Sequence, residues 1–176
     1  YKPGARVGHM LKFKPAENEL DLVITGAEYG KGKRVGMFSS FILSCRDENN
    51  VLLEIGKAST GLKEKPELGL SYEKLTNLLR PLIKKESGRT IEVRPKIVVS
   101  IVYQNIQRSP KYSSGFALRF PRITRLREDR SVKDIALLKE VENDYKRHEL
   151  KIHYWLNCFH NPAISSLIKL FLSFEA

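Results

Sequence analysis

Three segments in the first third of the chain combine apolar residues with interspersed polar ones, and short polar turns lie between them. The segments cover residues 20–26, 36–45 and 51–57, and the clusters 29–34 and 46–50 separate them. A two-residue period places successive side chains on opposite faces of an extended chain, which is typical of a half-buried strand. Glycine, asparagine and charged residues in the clusters favour turns. The pattern therefore predicts an antiparallel meander of three strands.

A helix is predicted after this meander, because the period of the apolar residues changes from two to about 3.6. Apolar residues of one helical face follow Ser71, a candidate N-cap. They are Leu75, Leu78, Leu79, Leu82 and Ile83. Pro81 should bend or end this helix, and Gly88 follows its last turn. The sequence thus predicts one helix after the third strand.

Two more strands and a second helix are predicted in the second half of the chain. Residues 97–103 are rich in β-branched side chains on both faces, as a buried strand requires, and residues 116–127 supply a fifth strand. Ser131 and Asp134 resemble a capping box that opens a helix reaching about Tyr145. This order of elements is that of an OB-fold. We therefore predict a mainly β protein, an OB-fold five-stranded Greek-key barrel with one helix between strands 3 and 4 and a C-terminal helical extension.

Length and charge narrow the classes of function. The chain has 176 residues, with 31 Lys and Arg against 20 Asp and Glu, and a formal charge of +11. This length allows one compact domain with an appendage, and 41% hydrophobic residues exclude a wholly disordered chain. We expect no membrane span, and the two cysteines, Cys45 and Cys158, favour reduced thiols in an intracellular setting, the cytoplasm or nucleoid. The excess of cations predicts a polyanionic partner.

Arginines recur along the predicted fifth strand. Arg119, Arg125 and Arg127 share parity, so an uninterrupted strand would project them together as a row of guanidinium groups. Arginine suits phosphate binding because its fork contacts two oxygens at once and stays charged. The alternative is a solvated face on which the arginines pair with Glu128 and Asp129. Both interpretations remain open on pattern alone.

Several segments resemble the ATP-dependent DNA ligases. Residues 118–130 read LRFPRITRLREDR and resemble motif VI, the C-terminal signature of that family. Residues 1–15 resemble motif V, the last strand of the ligase adenylation domain, and residues 26–34 are similar to the basic hairpin that follows it. Residues 106–120 resemble the archaeal branch in particular. The likeness is collinear and extends to about residue 150.

The resemblance implies roles in ATP chemistry. It places Arg6 and Lys12 against the nucleotide and Lys14 beside its α-phosphate. The motif VI residues expected to close over the β- and γ-phosphates are Arg125, Arg127, Asp129 and Arg130. Fixed cations stabilise the negative charge that develops during such transfers. Two positions depart from the family, which usually has Lys in place of Arg130 and Trp in place of Met10.

The resemblance also implies a surface that grips nicked double-stranded DNA by its phosphates. Its expected residues are Lys31, Lys33, Arg34, Lys57, Arg119 and Arg122. For the cluster at 31–34 the alternative is a solvated hairpin tip. The implied cofactors are ATP and Mg²⁺, and the metal would be held mainly by the adenylation domain, so no metal site is expected here.

The ligase nucleophile is absent from this sequence, because no Lys-x-Asp-Gly signature occurs in it. Without that lysine a chain cannot form the lysyl-AMP intermediate. The resemblance therefore implies a C-terminal piece of a DNA ligase that joins 3′-hydroxyl and 5′-phosphate ends in replication and repair but is not catalytic alone. Its partner would be the rest of the ligase chain.

Four regions are predicted along the chain. Residues 1–15 end the adenylation domain, 16–130 form the OB-fold domain, 131–147 form a C-terminal helix and 148–176 form a hydrophobic tail. Apolar residues at helical spacing in the tail predict packing on the barrel or on the missing domain. A weaker match is to the short motif that docks on sliding clamps, and no membrane contact is expected.

Two other functions remain open. The first is a free-standing nucleic-acid-binding OB-fold module without ligase activity. The second is the corresponding domain of a messenger RNA capping guanylyltransferase, which shares motif V and the barrel. The run at residues 118–122 argues against the second.

Overall fold

Antiparallel strands are the main regular elements of the structure, a computed structural model that describes residues 18–64, 67 and 69–147. The strands are β1 (Asn18–Tyr29), β2 (Phe38–Arg46), β3 (Leu52–Ala58), β4 (Ile83–Ser87), β5 (Thr90–Val93), β6 (Val98–Tyr103), β7 (Asn105–Arg108), β8 (Phe116–Arg119) and β9 (Arg122–Leu126). The helices are α1 (Tyr72–Leu79) and α2 (residues 138–147), and short 3-10 turns lie at Gly32–Arg34, Arg80–Leu82 and Val132–Asp134.

Five of these strands form a barrel. The meander β1–β2–β3 is antiparallel, the first half of β1 also pairs with β6, and β6 pairs with β9. A parallel bridge between Thr60 and Arg122 brings the chain after β3 beside β9. This closure confirms the predicted OB-fold, since a Greek-key barrel needs its last strand to return to the third.

The closure depends on a close approach of two backbones. Ile123 N donates to Thr60 O at 3.0 Å, and Gly61 follows with a φ of +98°. A Cβ atom at Gly61 would lie 2.1 Å from Ile123 O. Glycine is therefore required here both for the left-handed backbone and for the contact.

The core lies inside the barrel. Alternate residues of β1, β2 and β6 point inward and are buried, among them Leu22, Leu43 and Ile101. Ser71 caps α1 by accepting from Lys74 N at 3.1 Å, as the sequence predicted. The helix presents Leu75 and Leu79 to the core, which buries the apolar face that defined it in the sequence.

The first helix ends earlier than its apolar pattern suggested. Pro81 lies in a 3-10 turn directly after α1, and Ile83 begins β4. Gly88, with a φ of +60°, forms the turn of the β4–β5 hairpin and does not cap a helix. The hairpin adds to the sheet because β5 pairs with the second half of β1 at Gly26–Glu28. A short apolar run in a sequence is compatible with a helix or a strand. The pairing of β5 with the edge of β1 decides that residues 83–93 form strands.

The predicted fifth strand is two strands. β8 pairs with β7, and β9 pairs with β6. Between them Phe120 has a φ of +52° and Pro121 lacks a backbone N–H, so neither continues a ladder.

The second predicted helix also starts later than expected. The capping box of Ser131 and Asp134 is present, but it caps the start of the 3-10 turn that follows motif VI and not the start of a helix. Ala136 is then extended, because its N donates to Asp21 O at 2.9 Å and its O accepts from Arg46 N at 3.1 Å. Helix α2 begins only at residue 138. It is joined to the barrel by a hydrogen bond of 2.6 Å from Tyr103 to Asp144.

Candidate phosphate-binding site

Motif VI ends in a cluster of charged side chains at the start of β1. Arg127 donates through Nε and Nη2 to the two carboxylate oxygens of Asp129, at 2.9 and 2.8 Å. Its Nη1 donates to Asp21 Oδ2 at 3.0 Å. Arg130 Nη1 lies 3.0 Å from the same Oδ2 atom. We call Asp21, Arg127, Asp129 and Arg130 the motif VI cluster.

The electrostatics of the motif VI cluster follow from this pairing. The hydrogen bond from Arg127 lowers the pKa of the Asp129 carboxyl to about 2, and the same bond raises the pKa of Arg127. Asp129 therefore stays ionised at pH values well below neutral, where an ordinary aspartate is protonated. The pair presents a fixed cation and a fixed anion side by side.

The expected row of arginines is not formed. Arg119 lies on β8 with its guanidinium 5.5 Å from the centre of the Phe120 ring, whereas Arg125 lies on β9. The pairing of β9 with β6 also shifts register, so buried Ile123 and exposed Arg125 have the same parity but different environments. Sequence parity did not predict which arginines share a face, because it assumed one unbroken strand.

Arg125 and Arg127 differ in their partners. Arg125 is exposed, and its side chain makes no hydrogen bond or ion pair with the described residues. Arg127 pairs with Asp129, as one sequence interpretation expected, whereas Glu128 is exposed without such a bond in the described part of the chain. One arginine is therefore held in a set direction beside another that is open to solvent.

A second group of cations surrounds the end of β3. Arg34 forms an ion pair with Glu64, and its guanidinium stacks 3.9 Å from the centre of the Tyr72 ring. The hydroxyl of Tyr72 donates to Ser59 O at 2.6 Å. The pairing raises the pKa of Arg34 and lowers that of Glu64. Lys31 is exposed on the same turn, so the hairpin tip has one anchored cation beside solvated ones.

The other predicted DNA-binding residues converge on the same end of β3. Lys57 lies on β3 and forms an ion pair with Glu28. Arg122 lies beside Thr60 across the closing bridge. Strand β8, which carries Arg119, crosses β3 so closely that Leu118 lies 3.8 Å from the position of a Cβ on Gly56. We call these residues, together with the 31–34 turn, the β3-end cluster.

Phe120 belongs to the β3-end cluster, and the sequence reasoning missed it. Its side chain is 67% exposed, in a left-handed backbone conformation between Arg119 and Arg122. A large exposed aromatic residue with a positive φ is uncommon and points to a function. The sequence signal was the proline that follows, which breaks the strand alternation at this residue.

Strand β9 connects the two clusters. Arg122 at its start lies at the β3 end, and Arg125 at the other end pairs through its backbone with Ser100, which in turn pairs with Asp21. Five residue steps from Arg122 to Arg127 span roughly 15 Å of extended chain. The barrel thus presents two separate cationic sites, one at each end of β9.

Comparisons with known proteins identify the family. A family described as "ATP dependent DNA ligase C terminal region" matches residues 34–130, more than half of the chain. The chain belongs to this family. Among curated relatives, the DNA ligase of Nanoarchaeum equitans is 48% identical over 156 residues, which cover 87% of this chain and 28% of the relative. That of Archaeoglobus fulgidus is 46% identical over 147 residues, 83% of this chain and 26% of the relative. This ligase-family chain therefore spans about a quarter of the length of these relatives.

Solved structures give the same fold for this ligase-family chain. The ligase domain of LigD from M. tuberculosis matches with a TM-score of 0.55 and 23% identity, covering 68% of this chain and 38% of that chain. A mycobacterial DNA ligase D structure matches with a TM-score of 0.51 and 22% identity, again over 68% of this chain and 38% of that chain. The family match argues against the capping guanylyltransferase alternative.

Some predicted residues of the ligase-family chain lie outside the described part. They are Arg6, Lys12 and Lys14, and the tail 148–176 lies outside it as well. Within the described residues, no group of three or more His, Cys, Asp or Glu side chains is arranged to hold a metal ion. Helices in that same part of the chain are too short or too polar to cross a membrane.

Proposed function

We propose that this chain is the C-terminal part of an ATP-dependent DNA ligase that joins 3′-hydroxyl and 5′-phosphate ends in DNA replication and repair. The observation that carries the proposal is the family match over residues 34–130 together with the two cationic clusters that β9 connects. In this proposal the motif VI cluster meets ATP and the β3-end cluster meets nicked DNA.

The motif VI cluster is suited to the outer phosphates of ATP. Arg127 uses three of its N–H groups on carboxylates, so part of its donor fork remains for a phosphate oxygen. Arg125 is open to solvent on the adjoining strand, and Arg130 is the third cation. Asp129 keeps the Arg127 fork in one orientation. The three arginines would stabilise charge on the β- and γ-phosphates as pyrophosphate leaves, with Asp129 orienting one of them.

The remaining parts of the reaction would come from the rest of the ligase chain. Arg6, Lys12 and Lys14 would contact the nucleotide from motif V. When bound, Mg²⁺ supplies neutralisation of phosphate charge, and its protein ligands would lie mainly in the adenylation domain. Because the sequence has no Lys-x-Asp-Gly signature, we propose that the chain alone does not catalyse ligation.

The β3-end cluster is suited to the DNA backbone. Its cations are Lys31, Lys33, Arg34, Lys57, Arg119 and Arg122. Arg34 is held by Glu64 and Tyr72, which fixes a cation without removing it from the surface. Phe120 adds an exposed aromatic ring between two arginines, a combination common on surfaces that bind nucleic acids. Such contacts grip phosphates without reading sequence.

Because its proposed substrate is DNA, we propose that the protein acts inside the cell, in the cytoplasm or nucleoid. The tail 148–176 would contact the rest of the ligase chain, and its weak clamp-docking motif makes a sliding clamp a further candidate partner.

Transfer of labelled AMP tests the proposed function. The chain is mixed with the Archaeoglobus fulgidus ligase lacking its matching C-terminal quarter, and attachment of AMP to that protein is followed. We expect the chain to accelerate attachment about tenfold or more, and the Arg125→Ala chain to lose most of this effect. Acceleration that is absent, or that survives the substitution, would contradict the proposal. DNA binding without acceleration would favour the free-standing module.

A further inference from the structure

We propose that Asp21 is a positioning residue that sets the direction of Arg127 and Arg130 toward the phosphates of ATP. The inference rests on the proposed function, in which those two arginines act on ATP. Asp21 lies near the start of β1, outside every segment in which the sequence predicted functional residues. The positioning role of Asp21 follows from the contacts of its carboxylate group.

One carboxylate oxygen of Asp21 contacts both arginines. Arg127 Nη1 and Arg130 Nη1 each lie 3.0 Å from Asp21 Oδ2, while Ser100 Oγ donates to Oδ1 at 2.5 Å. Only 11% of the Asp21 side chain and 17% of the Arg127 side chain are exposed. Water therefore screens this pair less than a surface ion pair, and the bond orients the guanidinium group effectively.

Asp129 cannot supply the same anchor. It lies two residues from Arg127, beyond the end of β9, so its bonds fix the guanidinium only relative to that same segment, whose own link to β6 is the main-chain bond from Arg127 N to Val98 O at 2.9 Å. Asp21 lies 106 residues away in the central strand of the sheet, paired to β6 through Ser100. The bond to Asp21 is thus the one that ties the Arg127 guanidinium to the barrel.

The backbone of Asp21 anchors the segment that follows motif VI. Asp21 O accepts from Ala136 N at 2.9 Å, and Ala136 O accepts from Arg46 N. The side chain of Asp21 holds the arginines at positions 127 and 130, and its main chain holds position 136. The whole loop from 127 to 136 is therefore organised on one residue of β1.

The first test measures arginine mobility by NMR in the 176-residue chain, independently of any ligase activity. Asp21→Asn keeps the shape of the side chain and removes its charge. We expect the Nε–H order parameter of Arg130 to fall below about 0.6 and that of Arg127 to fall less, because Asp129 remains. Glu128→Gln is the matched control, since it removes a neighbouring exposed charge. Unchanged order in Asp21→Asn, or an equal loss in the control, would overturn the inference.

The second test separates the two chemical steps in a complete enzyme. This chain replaces the matching 28% of the Nanoarchaeum equitans ligase. For Asp21→Asn we expect a roughly 10- to 100-fold lower kcat of self-adenylation, little change in KM for ATP, and less than about twofold slower sealing of a pre-adenylated nick. A merely structural role would slow both steps together, and that result would overturn the inference.

Arg127→Ala in the same enzyme distinguishes the two possible failures. If Arg127→Ala slows self-adenylation and Asp21→Asn does not, positioning by Asp21 is wrong and the proposed function stands. If Arg127→Ala has no selective effect, or the unsubstituted chimera does not adenylate, the proposed function is wrong and the inference falls with it. The double variant should be little slower than Arg127→Ala alone, because Asp21 acts through the arginines. Additive losses of self-adenylation rate in the double variant would contradict an action of Asp21 through the arginines.

Discussion

Asp129 and Arg127 form a two-bond pair whose strength depends on the charge of the carboxylate. A carboxyl pKa lowered to about 2 means that the pair contributes stability fully above the ordinary pKa near 4 and loses it as the pH falls toward 2. We therefore expect the wild type to have the higher free energy of unfolding at pH 5, and the values of wild type and Asp129→Asn to converge near pH 2. Urea unfolding across this range measures the difference.

The same pair can be observed directly. An NMR titration of the Asp129 carboxyl should have its midpoint well below that of an ordinary aspartate, and Arg127→Lys should raise it because lysine cannot form both bonds. A normal midpoint in the wild type would mean that the pair is not formed in solution.

Barrel closure depends on one short segment between β3 and β9. In Gly61→Ala, a Cβ atom would overlap Ile123 O, and a left-handed backbone would be imposed on alanine. We expect a loss of roughly 2 kcal/mol or more in the free energy of unfolding. Thermal or urea unfolding measures it. Gly69→Ala is the matched control, since it also has a positive φ but no atom within 4 Å of the added Cβ. Equal losses in both variants would refute the close-approach argument.

The turn between β1 and β2 carries two exposed lysines beside the anchored Arg34. Replacing Lys31 and Lys33 by Gln should weaken binding of nicked duplex and reduce the salt slope by up to about 2, whatever the base sequence. Fluorescence anisotropy at several salt concentrations measures both. Lys139 and Lys146, exposed on α2, provide the matched control pair. Base-selective loss, or an equal effect of the control, would contradict a backbone-gripping turn.

At the scale of the whole molecule, two cationic clusters lie at opposite ends of β9, roughly 15 Å apart. A strand does not bend as a loop does, so movement of the barrel carries both clusters together. In the proposed function, the domain would therefore present the motif VI cluster to ATP or the β3-end cluster to DNA by rotating as a unit against the rest of the chain.

Binding of the chain to nicked duplex should fall steeply with added salt. Neutralising Z phosphates gives a slope of about −0.9Z in a plot of log affinity against log salt, and the six proposed cations set an upper bound near −5. Titrations between about 50 and 200 mM salt measure the slope. A flat response would rule out phosphate contacts as the main source of affinity.

The sequence by itself determined the fold class and the family. The three strands of the meander and the Ser71 cap are local signals, and each was confirmed in the structure. The motif VI residues could be chosen from their resemblance to a ligase signature, because that signature is continuous along the chain.

Only the tertiary structure decided how the strands divide and which charges meet. Residues 83–93 became a hairpin because an edge of β1 was available, and the fifth strand broke where Phe120 and Pro121 cannot continue a ladder. Asp21 meets Arg127 across 106 positions of sequence. Local pattern carries no information on such a contact, because barrel closure alone brings the first and last strands to the same neighbour, β6.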